Sequence, residues 1–148
     1  MSTPSVANRV YPQGYLALLT QGVTALSACN LALVDSTWEF DNTHSTDAQA
    51  TAGEITAAGY ARVATTLSVT LDTATALPTL RLALTGASFP GFTDTAKALI
   101  VLLQDGTPLL ALQEPNGTST MPITLATADP LVVGFPAGGI LNIQISAA

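Results

Sequence analysis

Along most of the chain, apolar and polar residues alternate with a period of two, as in strands that turn one face to a core and the other to solvent. Leu31 and Leu33 alternate with Ala32 and Val34, and Val63, Leu67, Val69 and Leu71 are interleaved with Ser68 and Thr70. Leu80, Leu82 and Leu84 alternate with Thr79, Arg81 and Ala83, and the rhythm returns in Ile123–Leu125, in 131–135, and in Leu141, Ile143 and Ile145. The run 98–103, ALIVLL, is apolar at every position. It predicts a strand covered on both faces or placed in an interface. Turn chemistry separates these segments at 87–91, 104–108, 114–117, 128–130 and 136–139, where Pro presets φ or Gly and Asn accept positive φ. Many short strands punctuated in this way predict an all-β domain, an antiparallel, jelly-roll-like β-sandwich.

Two segments depart from the strand pattern. The Ala-rich stretch 44–58 predicts at most one short helix, with Ser45 or Thr46 as its N-cap and Gly53 limiting its length. The stretch 14–34 carries no charge over a membrane-sized length, and Leu26-Ser27-Ala28-Cys29 resembles a lipoprotein cleavage box. Gln21, Gly22 and Thr24 interrupt that run, and Arg9 is the only basic residue before it. It is therefore expected to hold a turn at Gln21-Gly22 followed by a strand in which Cys29 is a small buried residue. Residues 1–9 have almost no apolar periodicity and are expected to order only against a partner, within an N-terminal arm over 1–12 that precedes a single domain over 13–148.

Composition adds a statement about the surface. Of the 148 residues, 48% are hydrophobic and only 9% charged, against roughly 25% charged in an average soluble protein. Thr, Ala, Ser and Gly must cover much of the exterior, and such a skin is poor at keeping free copies apart. A homo-oligomer is expected. The net charge of −6, with four basic residues scattered along the chain, argues against nucleic-acid partners and against a polybasic membrane patch. With one cysteine, the chain has no internal disulfide and no thiolate zinc site.

Candidate chemistry concentrates in FDNTHSTD, residues 40–47, which holds the only histidine. Ser45 or Cys29 with His44 would make a nucleophile–base pair only if the fold brought the base in from elsewhere. Asp41, His44, Asp47 and Glu54 match neither a calcium loop nor a His-x-x-x-His zinc pair. Glu39 with Glu54 or Asp41 is a carboxylate pair that any chain with ten acids offers. Trp38, Phe40 and Tyr60 are aromatics of the kind that floor sugar sites or pack at a core rim. Asn116-Gly117-Thr118 is a sequon and also an Asn-Gly turn. No complete catalytic motif is present, so a non-enzymatic protein without metal or cofactor is expected.

The order of features carries a resemblance. A Tyr-Pro segment leads to NLALVDSTWEFD, a polar NTHSTDA, then GEITAAGYAR, AKALIVLLQDGTPLLALQE and a closing VVGFPAGGILNIQIS. This order resembles small structural proteins of tailed-bacteriophage virions, among them capsid decoration or cement proteins. The resemblance implies a strand, a turn and a Pro-Leu strand in the fourth segment. It further implies a trimer on the outer capsid surface whose partner is the major capsid protein lattice. The alternatives are a tail or head–tail adaptor protein and, from another class, a carbohydrate-binding sandwich. In a lattice-bound protein the contacts would fall to the arm, through Arg9 and Tyr11, and to the loops 89–92 and 114–120, through Phe89, Phe92 and Asn116.

Overall fold

The computed structural model describes residues 8–74, 78–113, 121–126 and 130–135, together with the backbone of 141–144. The elements run β1 (Arg9–Val10), α1 (Pro12–Gln21), a 3-10 turn (Thr24–Leu26), β2 (Ala28–Val34), α2 (Asp47–Ala50), β3 (Val63–Asp72), β4 (Thr79–Leu84), β5 (Ala87–Phe89), β6 (Asp94–Ala96), β7 (Ala98–Leu102), β8 (Pro108–Leu112), β9 (Ile123–Leu125), β10 (Leu131–Val133) and β11 (Leu141–Gln144). Seven strands form one sheet in the order β1-β8-β7-β2-β3-β4-β11, and β10-β5 and β6-β9 form two short ladders. Every pairing is antiparallel. This is the all-β, sandwich-like architecture that the alternation predicts.

The central strands are buried on both faces. Leu31, Leu33, Leu99, Val101, Leu110 and Leu112 pack with Ala17 and Leu18 of α1 and with Phe89, Phe92, Ala96, Leu125 and Val133 from the ladders and their connections. On the opposite face Ala32, Val34, Ala98, Ile100, Leu102 and Ala111 pack with Tyr11, Trp38, Ala50 and Phe40. Double coverage explains the unbroken apolar run in β7, as expected. It also corrects the one-faced reading of 31–34, where all four residues are fully buried.

β3 passes from one part of the sheet to the other. Val63–Thr66 pair with β2, and Leu67–Asp72 pair with β4. At the handover Thr65 Oγ1 donates to Thr85 O at 2.6 Å, and Thr66 N donates to Thr85 Oγ1 at 3.0 Å. Where β3 leaves, the segment after α2 takes over the edge of β2. Ile55 N donates to Leu33 O, Asp35 N donates to Gly53 O, and Leu33 N donates to the Tyr60 hydroxyl at 3.0 Å. The backbone groups freed by the crossover are thus satisfied.

Three features differ from expectation. Residues 1–7 lie outside the described residues, but the arm does not extend to residue 12. Arg9 and Val10 pair with Ala111 and Leu110, Tyr11 N donates to Leu109 O, and Asn8 Oδ1 accepts from Gln113 N. Val10 and Tyr11 have apolar surface to bury, which holds this stretch in the domain. Second, 12–21 is a ten-residue helix that the strand reading did not foresee. Pro12 at its start has the preset φ, and Gly22 at φ 90° ends it with its N–H on Leu18 O. The expected turn at Gln21-Gly22 is this helix stop. Third, 87–89, taken as turn chemistry, is strand β5 and pairs with β10. The later expectations hold: Cys29 is buried in β2, and Thr46 caps α2 through a reciprocal box with Gln49.

Gly14 sets how closely α1 lies on β8. A Cβ there would overlap Pro108 O and stand 2.6 Å from Leu109 Cα. Alanine is the better helix former by about 1 kcal/mol, yet the clash is with backbone that cannot rotate away. Gly14→Ala is expected to lower the unfolding free energy by about 2–3 kcal/mol. Denaturant melts would show this as a reduced midpoint; an unchanged or raised midpoint would contradict the close approach.

Candidate functional site

The polar segment between β2 and β3 is tied down by one guanidinium. Arg62 donates to Asp47 Oδ2 at 2.6 Å and Oδ1 at 2.8 Å, and to Glu54 Oε1 at 2.9 Å and Oε2 at 2.7 Å. Tyr60 Oη donates to Glu54 Oε1 at 2.8 Å, and Thr51 Oγ1 donates to Asp47 Oδ1 at 2.9 Å. The paired fork geometry fixes direction as well as charge. The Arg62 hydrogen bonds hold the Asp47 carboxyl below its usual range, and the two acids, Glu54 foremost, raise the guanidinium pKa further. Burial is the main cause that raises the Tyr60 hydroxyl.

Most of the suspected reactive residues are engaged in local structure, whereas His44 Nδ1 is buried without a hydrogen-bond partner among the described residues. Asp47 and Glu54 bind Arg62, and Asp41 Oδ1 accepts from Thr43 N and Oγ1 in a local turn. His44 Nε2 stands 3.9 Å from Asp41 Oδ2, and its ring stacks on Tyr11 at 6.3 Å between centroids. Ser45 N donates to Gln49 Oε1 as part of the α2 cap. Cys29 lies in the other core, where burial pushes its thiol up to about 11. Among the described residues, no three His, Cys, Asp or Glu side chains converge as metal donors. The stretch 40–47 is a structured polar loop closing over the sheet.

Two surface features bear on binding. The first is a shallow cleft of about 270 Å³ lined by Arg9, Trp38, Glu39, Phe40, Lys97, Ala111 and Gln113. The Arg9 guanidinium carbon lies 5.2 Å from the centre of the Phe40 ring. Lys97 Nζ donates to Trp38 O at 2.7 Å and stands 5.9 Å from the centre of the indole. The second is the far end of β3. Val69 and Leu71 share the face of buried Leu67 and lie opposite Leu82 and Leu80 in β4, yet are 42% and 57% exposed. Here the apolar face of the sheet runs past the core that covers it.

Of the residues expected at an interface, Arg9 is exposed and belongs to the cleft. Tyr11, Phe89 and Phe92 are not available as expected, since all three are fully buried within the chain. Tyr11 packs against Phe40 and His44, and burial pushes its hydroxyl up to about 12. Phe89 and Phe92 pack on Tyr60. Their apolar area is better spent in the domain's own core than on a partner. Asn116 and the loop 114–120 lie outside the described residues. Lys97 and Gln113 were missed, because nothing local marks residues that meet Arg9 only across the sheet. Compared with protein-family models, curated proteins and solved structures, the chain matches none.

Arg62→Met removes the tie and leaves two carboxylates facing each other. It is expected to cost about 1–2 kcal/mol at neutral pH, the value of charge-assisted bonds discounted for partial exposure. Because the Asp47 pKa is depressed in the folded state, its contribution is full above the ordinary carboxylate range. It is lost as pH falls through the folded value. The stability gap between wild type and variant should therefore close below about pH 4. Urea melts across pH 3 to 7 check this, and a pH-independent gap would contradict it.

Proposed function

We propose that this chain is a non-enzymatic structural protein of a tailed-bacteriophage virion, a decoration or cement protein that binds the outer face of the assembled capsid and stabilises it. The observation that carries the reading is the order of sequence features from the Tyr-Pro segment to the closing strand. The surface supports it: few charges, and an apolar sheet face at Val69 and Leu71 that the domain leaves uncovered. Leu16 and Leu19 on α1 add further exposed apolar area. A protein that bridges neighbouring subunits binds the closed shell better than free subunits and shifts the equilibrium toward it. Tail or head–tail placement is the nearest rival. A carbohydrate-binding role is less well supported, since Trp38 is only 4% exposed and Arg9 lies against Phe40, leaving little open ring for a sugar to stack on.

Self-association belongs to the same proposal. A second copy is the partner proposed for the uncovered end of β3, and the trimer is carried by the resemblance. Sedimentation at high micromolar concentration is expected to give a trimer, and Val69→Glu with Leu71→Glu to give a folded monomer. A wild-type monomer at that concentration would count against the proposal. Association with particles is tested by sedimenting the chain with purified heads and with purified tails from the same virus. It should travel with heads at a copy number near that of the capsid subunit; recovery with tails alone, or at a few copies, would sink the decoration reading.

A further inference from the structure

The cleft beside β1 gathers two of the chain's four cations. Of the four basic residues, Arg62 is held by Asp47 and Glu54, and Arg81 by Asp72 at 2.7 Å. Arg9 and Lys97 make no ion pair among the described residues, and both line the same cleft. Lys97 has committed one N–H to Trp38 O, leaving two of its three donors. Arg9 rests against the Phe40 ring, an attraction that does not consume its hydrogen-bond donors. Gln113 adds a carboxamide at the rim, and Glu39 is the one acid in the lining. Two cations against one acid leave a single net positive charge, on a chain whose total is −6.

We propose that this cleft is the docking point for an acidic side chain of a partner protein, an Asp or Glu on a short exposed segment. The inference rests on the reading above that the chain binds a protein surface, and it names the chemistry of one contact. A carboxylate entering between Arg9 and Lys97 accepts from both cations, with the geometry that charge-assisted bonds favour. A nucleic-acid strand carries charge at every residue and would meet the acidic remainder of the surface. A cleft of about 270 Å³ suits a side chain or two.

Trp38 is the sole tryptophan, and it forms part of the cleft wall, so its fluorescence reports on this site. The full chain is titrated with a short Gly/Ser peptide bearing two central Asp residues, with the same peptide bearing Asn, and with inorganic phosphate. The Asp peptide should give a saturable change that weakens as salt is raised, while the Asn peptide gives none. Arg9→Gln should weaken binding about tenfold with an unchanged melting midpoint, and Lys97→Gln, the second variant, should weaken it similarly. No saturable response, equal binding by both variants and wild type, or phosphate binding as tight as the peptide would overturn the proposal. Sedimentation with heads separates the two readings. If the wild type binds heads and the double variant binds them equally well, the cleft proposal fails alone. If the wild type responds to the peptide but ignores heads, the capsid reading fails and the carboxylate site stands.

Discussion

The fold depends on a sheet whose central strands cannot tolerate water on either side. In β2, β7 and β8 nearly every position is apolar and buried, so each face needs a cover and neither cover can be dispensed with. One cover is the layer of short ladders with α1, seated closely because Gly14 has no side chain. The other is the segment between β2 and β3, in which Trp38 and Ala50 pack down on Ala32, Val34 and Ile100. That segment is rich in small polar residues and has little apolar area of its own. Its closure relies on Trp38 Nε1 donating to Ala50 O at 3.0 Å and on the bidentate Arg62 tie. The polar loop that looked like a reactive site is thus a lid on the second core, and its acids are occupied by that task.

Strand positions were legible because burial enforces period two at one-faced strands and an unbroken apolar run at β7. The α2 cap was legible as far as Ser45 or Thr46, because a hydroxyl ahead of an Ala-rich stretch can accept from a first-turn N–H, but the return bond from Gln49 was not read from the sequence. The helix α1 was not, since Pro12-Gln13-Gly14 offers no side-chain cap and the helix exposes Leu16 and Leu19 while burying Ala17 and Leu18. The destination of Phe89 and Phe92 was also hidden: turn residues around them suggested a surface loop, whereas both fill the core beside Tyr60. The Arg62 tie and the Arg9–Lys97 cleft join residues distant in sequence, and no local spacing encodes such meetings.

Scarcity of charge links this architecture to the proposed function. Two of the four cations are consumed in holding the domain's own loops and strands, and the other two share one cleft. Apolar surface, by contrast, continues beyond the core at the end of β3. A surface so arranged has weak long-range selection and broad short-range adhesion, which suits a protein that binds a repeating lattice in many copies. In the proposed role, affinity would come from the multiplicity of contacts on a fixed array more than from any one of them.

The most direct test of the proposed capsid role is the temperature at which purified heads release their genome, measured on heads lacking this protein and again after it is added. Binding preferred to the closed shell raises that temperature in proportion to occupancy and saturates when the sites are filled. An add-back that occupies the shell and leaves the release temperature unchanged would contradict a stabilising role.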